Sequence, residues 1–270
     1  MSSKPLRDYI SWSEISTWLN CQLQWRFKYV DNMPRGVSTI DQQMGSAVHA
    51  ILATHYGAAP EERSQVALHD AALKAYQGLI LDNDSHRDLR LDQLVNYAVT
   101  IWKTWGRDLE MPKMVTETPV RVPLPWNPDK AYLCIPDAYY VNKAKNWGII
   151  MSHKTRLSSL PDMGNLVKFH QQAPLEAWAL CEAYGLKEVL IYINGLTPTK
   201  AEREGPILFT QLESDKVEAA LTDFTRAVGR DPITYRSGPH CYTCEYRALH
   251  EALVEPGADI DAVKASFRKE

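Results

Sequence analysis

Hydrophobic periodicity changes once along this chain, near residue 112, and that change limits the folds open to it. Before it, apolar residues recur at helical spacing. Ser13 reads as the N-cap of a helix running to about Tyr29, with Trp18, Cys21 and Trp25 along one stripe. Further helices are expected over about Gln42 to Tyr56, Pro60 to Leu81 and Asp88 to Leu109, the last with Leu91, Leu94, Ala98, Ile101 and Trp105 in phase. After it come TETPVRVPL, AYLCIPDAYYV, WGIIMSHKT and EVLIYING, short segments rich in β-branched and aromatic residues and bounded by Pro, Asn, Asp and Gly. A helix from about Asn165 to Tyr184, closed by Gly185, separates the last two, and another spans about Ser214 to Val228. Helices, hairpin strands, crossover helix, strand and helix in that order imply an α/β fold, a mixed sheet flanked by helices with a helical insertion over about 58–112. At 270 residues the whole chain, 1–270, reads as a single domain.

Composition narrows the setting. Apolar content of 45% and charged content of 23% are ordinary for a globular protein. No run of 18 apolar residues occurs and the first residues contain no apolar signal core, so a cytoplasmic protein with no membrane span is expected. A net charge of -3 gives no global attraction to nucleic acid, so such binding would need a local basic groove. Five cysteines with one close pair suit thiols or metal ligands better than a disulfide framework.

The chemistry concentrates in IPDAYYVNKAKNWGIIMSHKTR, residues 135–156. Residues two apart on a strand share a face, so Ser152 and Lys154 point together and His153 points away. Asp137, on the partner strand of the hairpin, can project to the same face. Carboxylates beside a lysine on adjacent strands can hold Mg²⁺ and cleave a phosphodiester, with the lysine orienting water or a phosphoryl oxygen. Solvated surface charge is the alternative for Asp137 and Lys154 alone.

At this point the chain resembles the RecB-type branch of the PD-(D/E)XK nuclease superfamily, which includes AddB-like and CRISPR-associated nucleases. SWSEISTWLNCQLQWRFKYV is similar to that family's first helix, with Cys21. MGSAVHAIL is similar to its Gly-x-x-x-His helix, with His49. IPDAYYV and MSHKT look like the strands carrying the first metal aspartate, Asp137, and the (D/E)-x-K lysine, Lys154. HQQAPLEAWALCEAYG resembles the Gln-x-x-x-Tyr helix, with Gln172, and CYTCEYRALH the C-terminal cysteine cluster. The resemblance implies a restriction-endonuclease-like fold. It also implies a Mg²⁺- or Mn²⁺-dependent deoxyribonuclease that digests DNA ends or single strands, with DNA and a protein of a DNA-processing complex as partners.

Two positions depart from the pattern: Ser152 replaces the second strand carboxylate and Glu176 replaces the tyrosine. Glu176 lies one turn after Gln172 and on the same helix face, where it can supply the missing charge. The expected site is therefore Asp137, Glu176 and His49 on the metal, with Lys154 and Gln172 beside them. The alternative is a catalytically inactive nuclease fold that binds DNA or a protein partner. The resemblance further implies that Cys21, Cys241, Cys244 and His250, the last in place of a cysteine, hold a [4Fe-4S] cluster, tying the segment about 236–252 to the first helix. A Cys3His set also suits structural Zn²⁺, and His240 is the substitute ligand. Arg156, Lys168 and Lys143 are candidates for a DNA groove, and Trp12, Trp18, Trp25 and Trp178 for either base stacking or the core.

Overall fold

The computed structural model of this protein describes residues 7–34, 39–80, 87–106, 108, 110–160, 162–164, 171–228, 241, 244–254 and 259–267. In chain order it contains β1 (Tyr9–Ile10), α1 (Trp12–Asn20), α2 (Gln22–Trp25) with a π-helical turn Arg26–Val30, α3 (Ile40–Gly57), α4 (Gln65–Gln77) and α5 (Arg87–Trp105). Then follow β2 (Val115–Thr116), β3 (Val120–Leu124), β4 (Asn127–Cys134), β5 (Ala138–Asn142), β6 (Trp147–Thr155), α6 (Gln172–Tyr184), β7 (Glu188–Leu196) and β8 (Ala201–Phe209). The described chain closes with α7 (Gln211–Val228), α8 (Arg247–Val254) and α9 (Ile260–Phe267). The strands form two sheets, of order β1-β4-β3 and β2-β5-β6-β7-β8. In the larger sheet β6 and β7 are parallel and the other neighbours antiparallel, the mixed α/β arrangement that a hairpin followed by a crossover helix requires. No described helix is long and apolar enough to cross a membrane.

The chain packs as two compact units, one of Met1–Val37, Pro123–Tyr132 and Ala219–Glu270, the other of Ser38–Val122 and Leu133–Glu218. In the first, the expected continuous helix to Tyr29 is broken at Cys21, whose extended backbone caps α2 while its Sγ accepts from the Gln24 N–H. The cap of α1 is Ser11 rather than Ser13. Trp18 and Trp25 meet edge to face at 4.9 Å, and the Trp25 indole donates to Glu14. Phe27, Met33, Tyr246 and Leu249 form a small core in which the Tyr246 hydroxyl donates to the Met33 carbonyl, and Lys264 pairs with Asp31 at 2.7 Å. These contacts join the two ends of the sequence.

The second unit carries the larger sheet. A capping box starts α3, the Thr39 hydroxyl accepting from the Gln42 N–H and the Gln42 side chain from the Thr39 N–H. Met44, Val48, Ile51, Leu52 and Tyr56 of α3 are buried against Leu68 and Ala72 of α4, Leu94, Tyr97 and Ile101 of α5, and Ala138, Ile149 and Met151 of the sheet. The helices of the 58–112 region thus share one core with the sheet. Tyr97 donates to the Arg156 carbonyl at 2.6 Å, and Arg63 donates to the carbonyls of His55, Asp108, Met111 and Pro112. Trp18, Trp25 and Trp178 are all buried, which assigns them to the cores rather than to base stacking.

His55 sits in this core with one ring nitrogen against the Trp105 carbonyl at 3.1 Å. Burial, and after it the Arg63 charge, pull its pKa down to about 4. A histidine depressed below its unfolded value of 6.5 contributes stability that is full above that value and is lost as pH falls toward 4. Acidification from pH 7 to 5 should therefore remove about 2 kcal/mol of stability that His55→Gln does not lose. Urea midpoints of both proteins across that range measure it; parallel pH profiles would exclude His55 as the acid-sensitive group.

Candidate active site

Three local features bring the site together. The β5–β6 register sets Ala138 opposite Met151, so Asp137, the next residue outward, comes level with the Ser152–His153 end of β6. The β2–β5 register sets Thr116 opposite Ala138, which brings Glu117 beside Asp137, the Glu117 N–H pointing at the Asp137 carbonyl at 3.4 Å. The α3 helix, packed on the same end of the sheet, presents His49; one turn earlier, Gly45 faces the Thr155 hydroxyl, where an added Cβ would make only an ordinary contact at 3.5 Å.

Asp137 is held through both oxygens. Oδ1 lies 3.0 Å from His49 Nδ1, and Oδ2 accepts the His153 backbone N–H at 2.6 Å. Burial alone would raise its pKa, but these hydrogen bonds overcome it and hold the carboxyl at about 2. Burial also pulls His49 down, and the hydrogen bond and charge of Asp137 more than offset it, so the imidazole is shifted upward. Partial shielding, then the Asp137 charge, raise Glu117. Among the described residues, His49, Glu117 and Asp137 are the only group of three or more His, Cys, Asp or Glu whose ligand atoms all lie within 4.8 Å of one another. One imidazole nitrogen and two carboxylates make a mostly hard donor set that fits a divalent cation such as Mg²⁺ or Mn²⁺.

A second chain of contacts runs from β6 to α6. Lys154 Nζ donates to Gln172 Oε1 at 3.3 Å, and Gln172 Nε2 donates to Glu176 Oε1 at 2.7 Å. Glu176 is 2% exposed, and its Oε2 has no hydrogen-bond partner among the described residues. Burial, followed by the negative charge of Asp137, pushes its pKa up to about 8. Ser152 is fully buried and its hydroxyl is likewise without a partner. His153 turns to the opposite face, stacked on Tyr56 at 5.5 Å.

The structure thus brings together His49 and Asp137, and separately Lys154, Gln172 and Glu176, with Glu176 within electrostatic reach of Asp137. Sequence reasoning missed Glu117. Its position depends on a two-residue strand whose pairing has no periodicity to read, and the available signal was only an acid flanking a strand start in TETPV.

In the first unit no disulfide links the cysteines among the described residues. Burial raises the Cys244 thiol, and Cys21 and Cys241 lie near enough to raise it further. His250 stands on α8, with its N–H on the Tyr246 carbonyl. Cys21, Cys241, Cys244 and His250 do not converge within the 4.8 Å that defines the His49 group. His240, Lys168 and His170 lie outside the described residues.

A search among curated proteins finds no match to this chain. Among solved structures, a Eubacterium rectale protein named "Putative exonuclease" superposes with a TM-score of 0.55 at 12% identity, covering 87% of this chain and 88% of that one. SSO0001 aligns over 80% of this chain and 96% of its own at 14% identity, with a TM-score of 0.30 that carries no argument. The likeness to the first is one of fold. The profile of the PD-(D/E)XK nuclease superfamily matches residues 9–249, nearly the whole sequence. With its mixed sheet and its Asp137 and Lys154 strands, this chain belongs to the PD-(D/E)XK nuclease superfamily.

Proposed function

We propose that this protein is a divalent-metal-dependent deoxyribonuclease of the RecB-type branch, hydrolysing phosphodiester bonds at DNA ends or in single strands as one part of a DNA-processing complex. The observation that supports it most is the convergence of His49, Glu117 and Asp137 at the end of the sheet that carries Lys154. Those three residues would hold Mg²⁺ or Mn²⁺. When bound, the ion supplies a water of lowered pKa and neutralises charge at the phosphate. Ser152 offers no charge, and two acids answer for it: Glu117 from beside β2, within the His49 group, and Glu176 from α6, which lies outside that group but whose Oε2, without a partner among the described residues, would serve as a further ligand.

Lys154 uses one of its three donors on Gln172, which leaves two to orient the attacking water or a phosphoryl oxygen. Gln172 relays between the ammonium and Glu176, fixing both. A groove of about 370 Å³ adjoins the end of β6, its lining including Gly45, Tyr97, Thr155 and Ser158 together with one acid, Asp41, and one base, Arg156. The exposed Arg156 there suits a phosphate of the bound strand. In the first unit, Cys21, Cys241, Cys244 and His250 would hold a [4Fe-4S] cluster, or alternatively zinc, a reading that rests on the motif resemblance, since the four do not converge in this structure.

A second reading is a nuclease fold that binds DNA without cutting it, and the uncharged, buried Ser152 favours it.

Labelled single- and double-stranded DNA incubated with Mn²⁺ separates the two readings. Cleavage by the wild type, reduced about 10²- to 10³-fold in Lys154→Ala, is the expected outcome; an inert wild type with an active Ser152→Asp would assign the silent fold. Metal binding should strengthen as pH rises from 6 to 8. His49, shifted upward, and Glu176, at about 8, must both release a proton to coordinate. Calorimetry in buffers of differing ionisation enthalpy counts those protons, and Glu176→Gln should release fewer; an unchanged count would remove Glu176 from the ligand set. Anaerobically purified protein should be brown, with iron and sulfide by elemental analysis, and Cys244→Ser should be colourless. Zinc in the wild type would assign the Cys3His alternative.

A further inference from the structure

The face of the larger sheet opposite Ser152 and Lys154 carries a polar ladder that the reaction outlined above does not use. His153 of β6 is the register partner of Asn194 on β7, and Asn194 is the partner of Arg203 on β8. The three side chains lie side by side across three strands. Arg203 donates from Nε to Asn194 Oδ1 at 2.9 Å, from one terminal nitrogen to Asp108 at 2.6 Å, and from the other to the Tyr56 hydroxyl at 2.7 Å. A guanidinium only donates, so the oxygen of the Asn194 amide must face Arg203 and its NH₂ must face the other way. There it reaches His153 Nδ1 at 3.3 Å and the Tyr56 hydroxyl at 3.2 Å. His153 Nδ1 is therefore the acceptor, and the ring is clamped between this donor and the stacked Tyr56. Tyr56, Asn194 and His153 are each at most 2% exposed.

His153 is the residue whose backbone N–H holds Asp137 Oδ2. Its ring is held by Asn194 and Tyr56 and meets the His49 ring edge to face at 5.8 Å, while its N–H holds Asp137. We infer that Asn194 and Arg203 are positioning residues of the metal centre, which act through His153 to aim Asp137 at the ion, a conclusion that rests on the metal reading of His49, Glu117 and Asp137. Neither touches the three ligands. Hydrogen-bond partners behind metal ligands are worth about 10- to 100-fold in metal affinity when removed, and the short Asp137–His153 bond is such a partner once removed from the ladder.

Substitution chemistry separates the ladder's two halves. Asn194→Asp keeps an acceptor for Arg203 but cannot donate to His153, whereas Asn194→Ala loses both. Leu68→Ala empties a fully buried apolar position on α4 and serves as a control for plain destabilisation. Mn²⁺ affinity by electron paramagnetic resonance should fall at least tenfold in Asn194→Asp, Asn194→Ala and Arg203→Met, and stay at the wild-type value in Leu68→Ala. Selective ¹⁵N-histidine labelling adds a metal-free readout. The His153 amide proton, held by a carboxylate at 2.6 Å, should resonate far downfield in the wild type and move upfield in both Asn194 variants. Variants that melt earlier but keep wild-type Mn²⁺ affinity and the downfield amide would overturn the inference and leave a structural network only. If the wild type and Asp137→Asn both fail to bind Mn²⁺, the metal reading falls. In that case an upfield shift in the Asn194 variants retains the ladder as the device that positions Asp137, and an unmoved amide overturns it as well.

Discussion

Asp137 is anchored at both oxygens before any ligand arrives, by His49 on one side and the His153 N–H on the other. A buried carboxylate without such partners would take up a proton, because charge in a poorly solvated position is costly. The rest of the second unit follows from supplying them. The α3 helix must lie across the end of the sheet to bring His49, and its apolar stripe of Met44, Val48 and Ile51 holds it there. The β5–β6 pairing must keep its register, because a slip of one residue would turn Lys154 away from the site and His153 into it.

Alternation along β6 then divides the labour of the sheet. On one face, which Ser152 shares, Lys154 donates to Gln172 of α6, which in turn donates to Glu176. On the other, His153 joins Asn194, Arg203 and Tyr56. The charges on the first face are arranged unequally. Asp137 stays ionised at about 2, while burial lifts Glu176 to about 8. Burial first, and the nearby Asp137 charge second, leave Glu176 largely protonated near neutral pH. Loss of the strand carboxylate at Ser152 is compatible with an acid-rich pocket.

Much of the fold was legible because it rests on periodicity. The apolar spacing in α3 and α5, the hairpin and the Gly185 stop after α6 all depend on neighbours in sequence, and Gly185 does adopt the left-handed conformation, φ 67°. Features that depend on distant partners were not. The break at Cys21 cuts a continuous apolar stripe, because its backbone turns extended to cap the next helix. Strand β8, AEREGPILF, hides behind Glu202, Arg203, Glu204 and a Gly-Pro pair, since it is a half-exposed edge with little apolar alternation. At the site, Asp137, Lys154, Gln172, Glu176 and His49 came from motif resemblance. Glu117 and the Asn194–Arg203 ladder came only from strand register, which a single sequence does not display.

Glu117 also carries a conformational sign of its purpose. Its φ is 47°, in the left-handed region, which costs a residue with a Cβ about 1 kcal/mol or more. No glycine or asparagine occupies the position, although either would adopt that backbone more readily. The strain sits where the chain leaves β2, at the residue whose carboxylate lies with His49 and Asp137. A residue selected only to make a turn would be one of the small or amide types. A residue that puts a negative charge beside Asp137, with burial first and the Asp137 charge second raising its pKa, has to be an acid. Under the proposed metal reading, a cation shared by the three ligands would offset the like-charge repulsion, while the backbone strain would remain.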